Sequence, residues 1–120
     1  MINIKLKNFE ISNSNQFVLI AGPCVIESEK HTLMMAEKIT QICNKKNINF
    51  IYKSSFDKAN RSSIDSRRGI SLSEAEKIFD KVKLNFNCPI VTDVHNESQC
   101  EFFAKSKSVD ILQIPAFLCR

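Results

Sequence analysis

Four short stretches of the 120-residue sequence carry side chains that could do chemistry, and each follows an apolar run. "GPC" (Gly22 to Cys24) offers a thiol. "KSSFDKANRSS" (Lys53 to Ser63) offers lysines, an arginine, an asparagine and many hydroxyls. "TDVH" offers Asp93 and His95 two positions apart. "QIPAFLCR" offers Gln113 and ends on Arg120. Lys53, Lys58 and Arg61 suit phosphate and carboxylate groups; the arginine fork fits phosphate by paired hydrogen bonds, and lysine acts more as a point charge. Asn60 with Ser54, Ser55, Ser62 and Ser63 could hold sugar hydroxyls or a water. The same stretch also reads as a solvated basic loop or a nucleic-acid surface. Cys24 reads either as a small buried hydrophobe or as a thiolate ligand to a divalent metal such as zinc or iron. His95 alone reads more readily as a satisfied loop histidine than as a catalyst, and Asp93 on the same side of an extended segment adds slightly to the second reading. Neither a Walker pattern nor a glycine-rich dinucleotide loop is present.

Composition narrows the class. With 43% hydrophobic and 25% charged residues, the chain can bury one modest core. Lys+Arg 17 against Asp+Glu 13 gives a net charge of +4, which fits anionic small molecules, and no long basic run marks a nucleic-acid tail. No window approaches the ~20 apolar residues of a membrane span. The first residues lack the apolar core and cleavage site of a signal peptide, so a cytoplasmic protein without membrane contact is expected. The five cysteines (Cys24, Cys43, Cys88, Cys100, Cys119) form no C-x-x-C pair and read as reduced thiols, mostly in the core. The two glycines, Gly22 and Gly69, both fall in expected loops.

The elements that must position these residues alternate in period. "FVLIA" (Phe17 to Ala21) reads as a strand covered on both faces. Ser28 caps a helix to about Cys43, with Leu33, Ala36, Ile39 and Cys43 at helical spacing and Met34 and Met35 as core packing. "INFIY" (Ile48 to Tyr52) is a second strand. Ser71 and Glu74 form a capping-box pattern opening a helix through Leu72, Ala75, Ile78, Phe79 and Val82. "PIVTDV" is a third strand from Pro89. Asn96 with Gln99 caps a short helix through Phe102, Phe103 and Ala104. "DILQI" (Asp110 to Ile114) is a fourth strand, stopped by Pro115. Ile2, Ile4 and Leu6 alternate and suggest an amino-terminal hairpin. The order predicts an α/β fold with a parallel sheet and right-handed crossovers. All four chemical stretches then lie at strand carboxyl ends, on the side where β/α barrels and open α/β sheets place active sites.

"AGPCVIES", "YKSSFDKANRSSI", "VTDVH" and "LQIPAFLCR", in this order and spacing, resemble the 3-deoxy-D-manno-octulosonate 8-phosphate synthase family from about Phe17 to Arg120. The related 3-deoxy-D-arabino-heptulosonate 7-phosphate synthases share fold and reaction type but not these strings. The resemblance implies a (β/α)₈ barrel, usually a homotetramer, that condenses phosphoenolpyruvate with arabinose 5-phosphate in lipopolysaccharide precursor synthesis. It places Lys53, Ser55, Lys58 and Gln113 on phosphoenolpyruvate. Asn60, Arg61 and Ser62 fall where arabinose 5-phosphate is received, and Asp93 and His95 at the reacting centre. Among these it implies catalytic roles for Lys58, Asn60, Asp93 and His95. Pro115, Ala116, Phe117 and Arg120 form the wall beside phosphoenolpyruvate and a subunit contact. Cysteine at Cys24, where metal-independent members have asparagine, implies a divalent metal (zinc, iron or manganese).

Two departures from the family pattern stand out. After "RSS" the family reads Ile-His-Ser-aromatic-Arg-Gly-Pro-Gly; here Asp65 replaces the histidine, Arg67 the aromatic, and Ile70-Ser71 the Pro-Gly. The family also continues beyond the place of Arg120 for more than this chain's length, and a barrel typically needs ~250 residues. The expectation is therefore a single partial domain over residues 1–120, the amino-terminal half of a synthase, inactive alone, with the remaining metal ligands lying outside it. Two alternatives are a synthase using erythrose 4-phosphate and a non-catalytic half-barrel that binds a phosphosugar.

Overall fold

In a computed structural model of the chain, residues 2–57 and 70–119 are described. They open with a small antiparallel hairpin, β1 (Ile4–Lys5) and β2 (Glu10–Ile11). Four parallel strands follow: β3 (Val18–Ala21), β4 (Asn49–Lys53), β5 (Ile90–Asp93) and β6 (Ile111–Gln113). Between them run α1 (Glu29–Lys46), α2 (Leu72–Phe86) and α3 (Glu97–Lys105), and a 3-10 turn spans Ala116–Cys119. The strands lie in the sheet in sequence order, β3-β4-β5-β6.

Local chemistry sets the helix ends. Ser28 accepts from the His31 backbone N–H, Asn96 from that of Gln99, and Ser71 with Glu74 completes the capping box. Ser71 thus gives α2 a cap at a position where the family pattern has glycine. Asn47 and Asn87 close α1 and α2 in the left-handed region, at φ 54 and 51. Asparagine tolerates that conformation, so the ends need no glycine. α1 runs to Lys46 rather than about Cys43, because Asn47 is where the helical path stops.

Strand alternation divides the sheet into two faces. Phe50, Tyr52 and Ile90 meet Ala36 and Cys43 of α1, Ala75, Phe79 and Val82 of α2, and Phe103 of α3 in one core. All three helices therefore cover the same face. The opposite face carries Ile20, Ile51, Lys53, Val91, Asp93 and Gln113, as the register pairs Ile20 with Ile51 and Asp93 with Gln113. Ile20 is 54% exposed there, so β3 is not covered on both faces as its apolar run suggests. Met34 is also exposed, at 42%: it lies off the stripe through Thr32, Ala36 and Cys43 that faces the sheet. Of the cysteines, Cys43 and Cys88 are buried, Cys100 is half-buried, and Cys24 and Cys119 are exposed, so the core holds fewer thiols than expected.

The amino ends of the strands are tied by polar contacts. Lys83 of α2 pairs with Asp110 at 2.8 Å, and Asp110 accepts from the Ile90 N–H at 2.8 Å. The hairpin reaches the same region, where Asn8 donates to the Asn87 carbonyl and Lys7 to the Asn87 side chain. No described helix is long and apolar enough to cross a membrane.

Burial pushes the Cys88 thiol up from 9.0 to about 11 and the Tyr52 phenol up from 10.0 to about 12. Both are acids whose neutral form the fold favours. As pH rises, the unfolded chain loses these protons first and then binds fewer than the native state. Stability should therefore fall from about pH 9 towards 12, read as a declining urea midpoint, and Cys88→Ala should flatten the lower part of that decline. A second test concerns Gly22, where an added Cβ would overlap the Lys53 carbonyl oxygen and lie 2.7 Å from its carbonyl carbon. Gly22→Ala should cost about 2 kcal/mol by forcing β3 and β4 apart at their carboxyl ends; an unchanged denaturation midpoint would contradict this close approach.

Candidate active site

The carboxyl ends of β4, β5 and β6 converge on one pocket of about 150 Å³, into which Lys53, Ser55, Asp57, Asp93, His95 and Gln113 contribute. Phe117, from the 3-10 turn after Pro115, forms an apolar wall. Among the described residues, larger cavities of about 380 and 400 Å³ lie elsewhere: beneath the hairpin at the strands' amino ends, and between the starts of α1 and α2. Neither contains a candidate residue. Ligand pockets typically reach ~300 Å³ or more, so size favours those two cavities, but the convergent chemistry favours the smaller one.

The backbone carries the side chains into place. Past the end of β4, Ser54 N–H donates to the Val91 carbonyl at 3.4 Å, and Ser55 pairs in parallel with Val25. Ser55 N–H donates to the Cys24 carbonyl at 3.4 Å, and Ile26 N–H to the Ser55 carbonyl at 2.8 Å. Past the end of β5, Val94 N–H donates to the Gln113 carbonyl at 3.0 Å. The strand pairing thus extends into the loops, which holds the site on rigid backbone.

Asp93 is at the centre. It is 8% exposed, and a carboxylate so buried requires donors. Ser55 Oγ donates to Oδ1 in a short contact. His95 Nε2 lies 2.7 Å from Oδ2. The His95 backbone N–H donates to Gln99 Oε1 at 2.7 Å, which ties the loop to the first turn of α3. Phe56 stacks near the imidazole at 6.3 Å between ring centroids, and Phe117 lies tilted at 6.2 Å. On the other side of the ring, Asp57 Oδ2 is 3.6 Å from Nδ1. The arrangement can hold a proton on an oriented imidazole beside a lysine able to face an anion.

Of the residues singled out in the sequence, Lys53, Ser55, Asp93, His95, Gln113 and Phe117 come together here. Ala116 sits exposed in the adjacent turn. Cys24 joins through its backbone at Ser55, and its side chain is exposed in this chain rather than buried. Lys58, Asn60, Arg61, Ser62 and Arg120 lie outside the described residues, as do Asp65 and Arg67. No group of three or more His, Cys, Asp or Glu that could hold a metal occurs among the described residues. Sequence reasoning passed over Asp57 and read Gln99 only as part of a helix cap, not as the acceptor for the His95 N–H. Asp57 stands two positions after Ser55, so extended backbone sends both to one side; that spacing was a usable signal.

The model of the DAHP synthetase I family matches residues 1–120. A protein of Rickettsia typhi named 2-dehydro-3-deoxyphosphooctonate aldolase is 62% identical over 117 residues, covering 98% of this chain and 42% of that protein. Proteins with the same name from Rickettsia prowazekii and Rickettsia canadensis are 59% and 57% identical over the same lengths. That name is a synonym of 3-deoxy-8-phosphooctulonate synthase. The chain spans 42% of the length of these relatives, and the match begins before Phe17, where the resemblance in motifs starts. Since the family model matches every residue of it, the chain belongs to the DAHP synthetase I family.

Proposed function

We propose that the protein to which this sequence belongs condenses phosphoenolpyruvate with arabinose 5-phosphate and water, giving 3-deoxy-D-manno-octulosonate 8-phosphate and inorganic phosphate for lipopolysaccharide precursor synthesis. The observation that carries this reading is the convergence of Lys53, Ser55, Asp93, His95 and Gln113 at the carboxyl ends of neighbouring parallel strands. The relatives' name points the same way. Sequential strand order with every described helix on one face is compatible with the winding of a β/α barrel, and on that support we place the pocket inside such a barrel, in a homotetramer.

In the reaction, the enol carbon of phosphoenolpyruvate bonds to the aldehyde carbon of the sugar. Water adds to the neighbouring carbon, and the C–O bond to phosphate breaks. Two phosphates and a carboxylate must approach one another, and their repulsion calls for cations. Lys53 and Lys58 would meet phosphoenolpyruvate, with Ser55, Gln113, Ala116, Phe117 and Arg120 around it. Asn60, Arg61 and Ser62 would receive the sugar phosphate. His95, held by Asp93, would take or return a proton at the reacting centre.

Cys24 presents an exposed thiol beside the Ser55 strand end, which suits one ligand of zinc, iron or manganese. A single thiolate does not make a site, so other ligands would have to come from residues not described here. A bound metal would supply Lewis acidity. The second reading, a synthase that accepts erythrose 4-phosphate, is favoured by the family description alone.

Phosphate release by the full-length protein, with phosphoenolpyruvate and each aldose phosphate in turn, tests the choice. Turnover should be about 10⁴-fold faster with arabinose 5-phosphate, the discrimination expected of a site built to bond a substrate's hydroxyls. Preference for erythrose 4-phosphate would select the second reading, and release with neither would overturn both. Metal analysis tests Cys24 separately: Cys24→Asn should reduce bound metal to background, and an undiminished metal content would exclude the thiol as a ligand.

A further inference from the structure

Asp93 leaves the imidazole of His95 with one uncommitted nitrogen. A carboxylate only accepts hydrogen bonds, so Nε2, at 2.7 Å from Asp93 Oδ2, must carry the proton in that bond. The other Asp93 oxygen is occupied by the Ser55 hydroxyl. Nδ1 is then the atom at which the ring can gain or lose a further proton. It is buried, and no hydrogen-bond partner reaches it among the described residues. Among the described residues, the ionisable group facing it is Asp57, at 3.6 Å. That distance is too long for a hydrogen bond and short enough for a strong Coulomb contact.

We infer that Asp57 is a positioning residue for His95, facing Nδ1 as Asp93 holds Nε2 and so making Nδ1 the nitrogen at which a proton is exchanged. A proton arriving at Nδ1 comes to lie between two carboxylates, which offset its charge. The Asp57 side chain is 19% exposed and that of His95 only 9%, so the pair is largely withdrawn from water and its Coulomb contact is weakly screened. The ring cannot swing away, because Phe56 and Phe117 flank it and Gln99 holds its backbone. Among the described residues, the charged groups facing the site are Asp57 and Lys53 from the β4 end and Asp93 from β5. Only the catalytic consequence rests on the synthase reading proposed above; the geometry stands without it.

The test uses Asp57→Asn and Asp57→Glu in the full-length protein, read two ways. The first is the ¹⁵N resonances of the His95 ring across pH. Asp57→Asn should move the Nδ1 signal and its pH midpoint while the Nε2 signal keeps its Asp93-bonded position. Asp57→Glu should return Nδ1 towards the parent value. The second is steady-state phosphate release: Asp57→Asn should lower kcat roughly tenfold or more, change KM little, and displace the limb of the pH profile that follows the Nδ1 midpoint. An unchanged Nδ1 resonance in Asp57→Asn would overturn the inference whatever the activity does. So would a loss of kcat with an unaltered pH profile, since a merely structural defect gives that result. If Asp57→Asn fails to fold, Asp57→Glu decides: a parent-like Nδ1 midpoint with partial kcat supports the role, and a shifted midpoint opposes it. Absence of phosphate release from the unsubstituted protein would overturn the synthase reading but leave the resonance measurement to judge Asp57.

Discussion

Asp93 is a carboxylate held almost out of water, and a buried carboxylate is tolerated only where donors reach it. That requirement fixes much of the surrounding geometry. Ser55 must lie beside it, which requires the β4 extension to run in register with β5. His95 must turn back towards it two residues later, and Gln99 must hold the His95 backbone while its own N–H is capped by Asn96. One side chain thus couples two strands, a loop and the start of α3.

The two ends of the sheet use polar groups differently. At the amino ends, Asp110 bridges Lys83 and the Ile90 N–H, and the hairpin bonds to Asn87. These contacts join elements and leave no convergent reactive set. At the carboxyl ends, Lys53, Asp93 and Gln113 project from the face that the helices do not cover. Thr92, which alternates onto the helix side, donates instead to the Ser54 carbonyl at 2.8 Å and stiffens the frame under the site. Gly22 permits the closest backbone approach of β3 to Lys53, so the strand edge and the first cation of the pocket share one steric constraint.

Most of the architecture was legible in the sequence because its signals are local. Apolar runs and helical spacing found the four strands and three helices, and the caps at Ser28, Ser71 and Asn96 formed as their side chains dictate. Misreadings arose where burial depends on distant chain. The pattern could not show that Ile20 is exposed on the face opposite the helices, that Met34 faces away from the core, or that Cys24 and Cys119 are exposed. Of the site, Lys53, Ser55, Asp93, His95 and Gln113 were legible because each follows an apolar strand.

By itself, the sequence determined which residues could do chemistry, the order of strand and helix, and the family motifs that name a reaction. Hydrogen-bonding side chains near a helix start and alternation along a strand act over a few residues, so they can be read in one dimension. Only the tertiary structure decided that Asp57 faces the imidazole from the side opposite Asp93 and that Phe56 and Phe117 flank the ring. Those contacts join residues from the ends of three different strands. Their distances follow from sheet register and strand twist, which no spacing along the chain encodes.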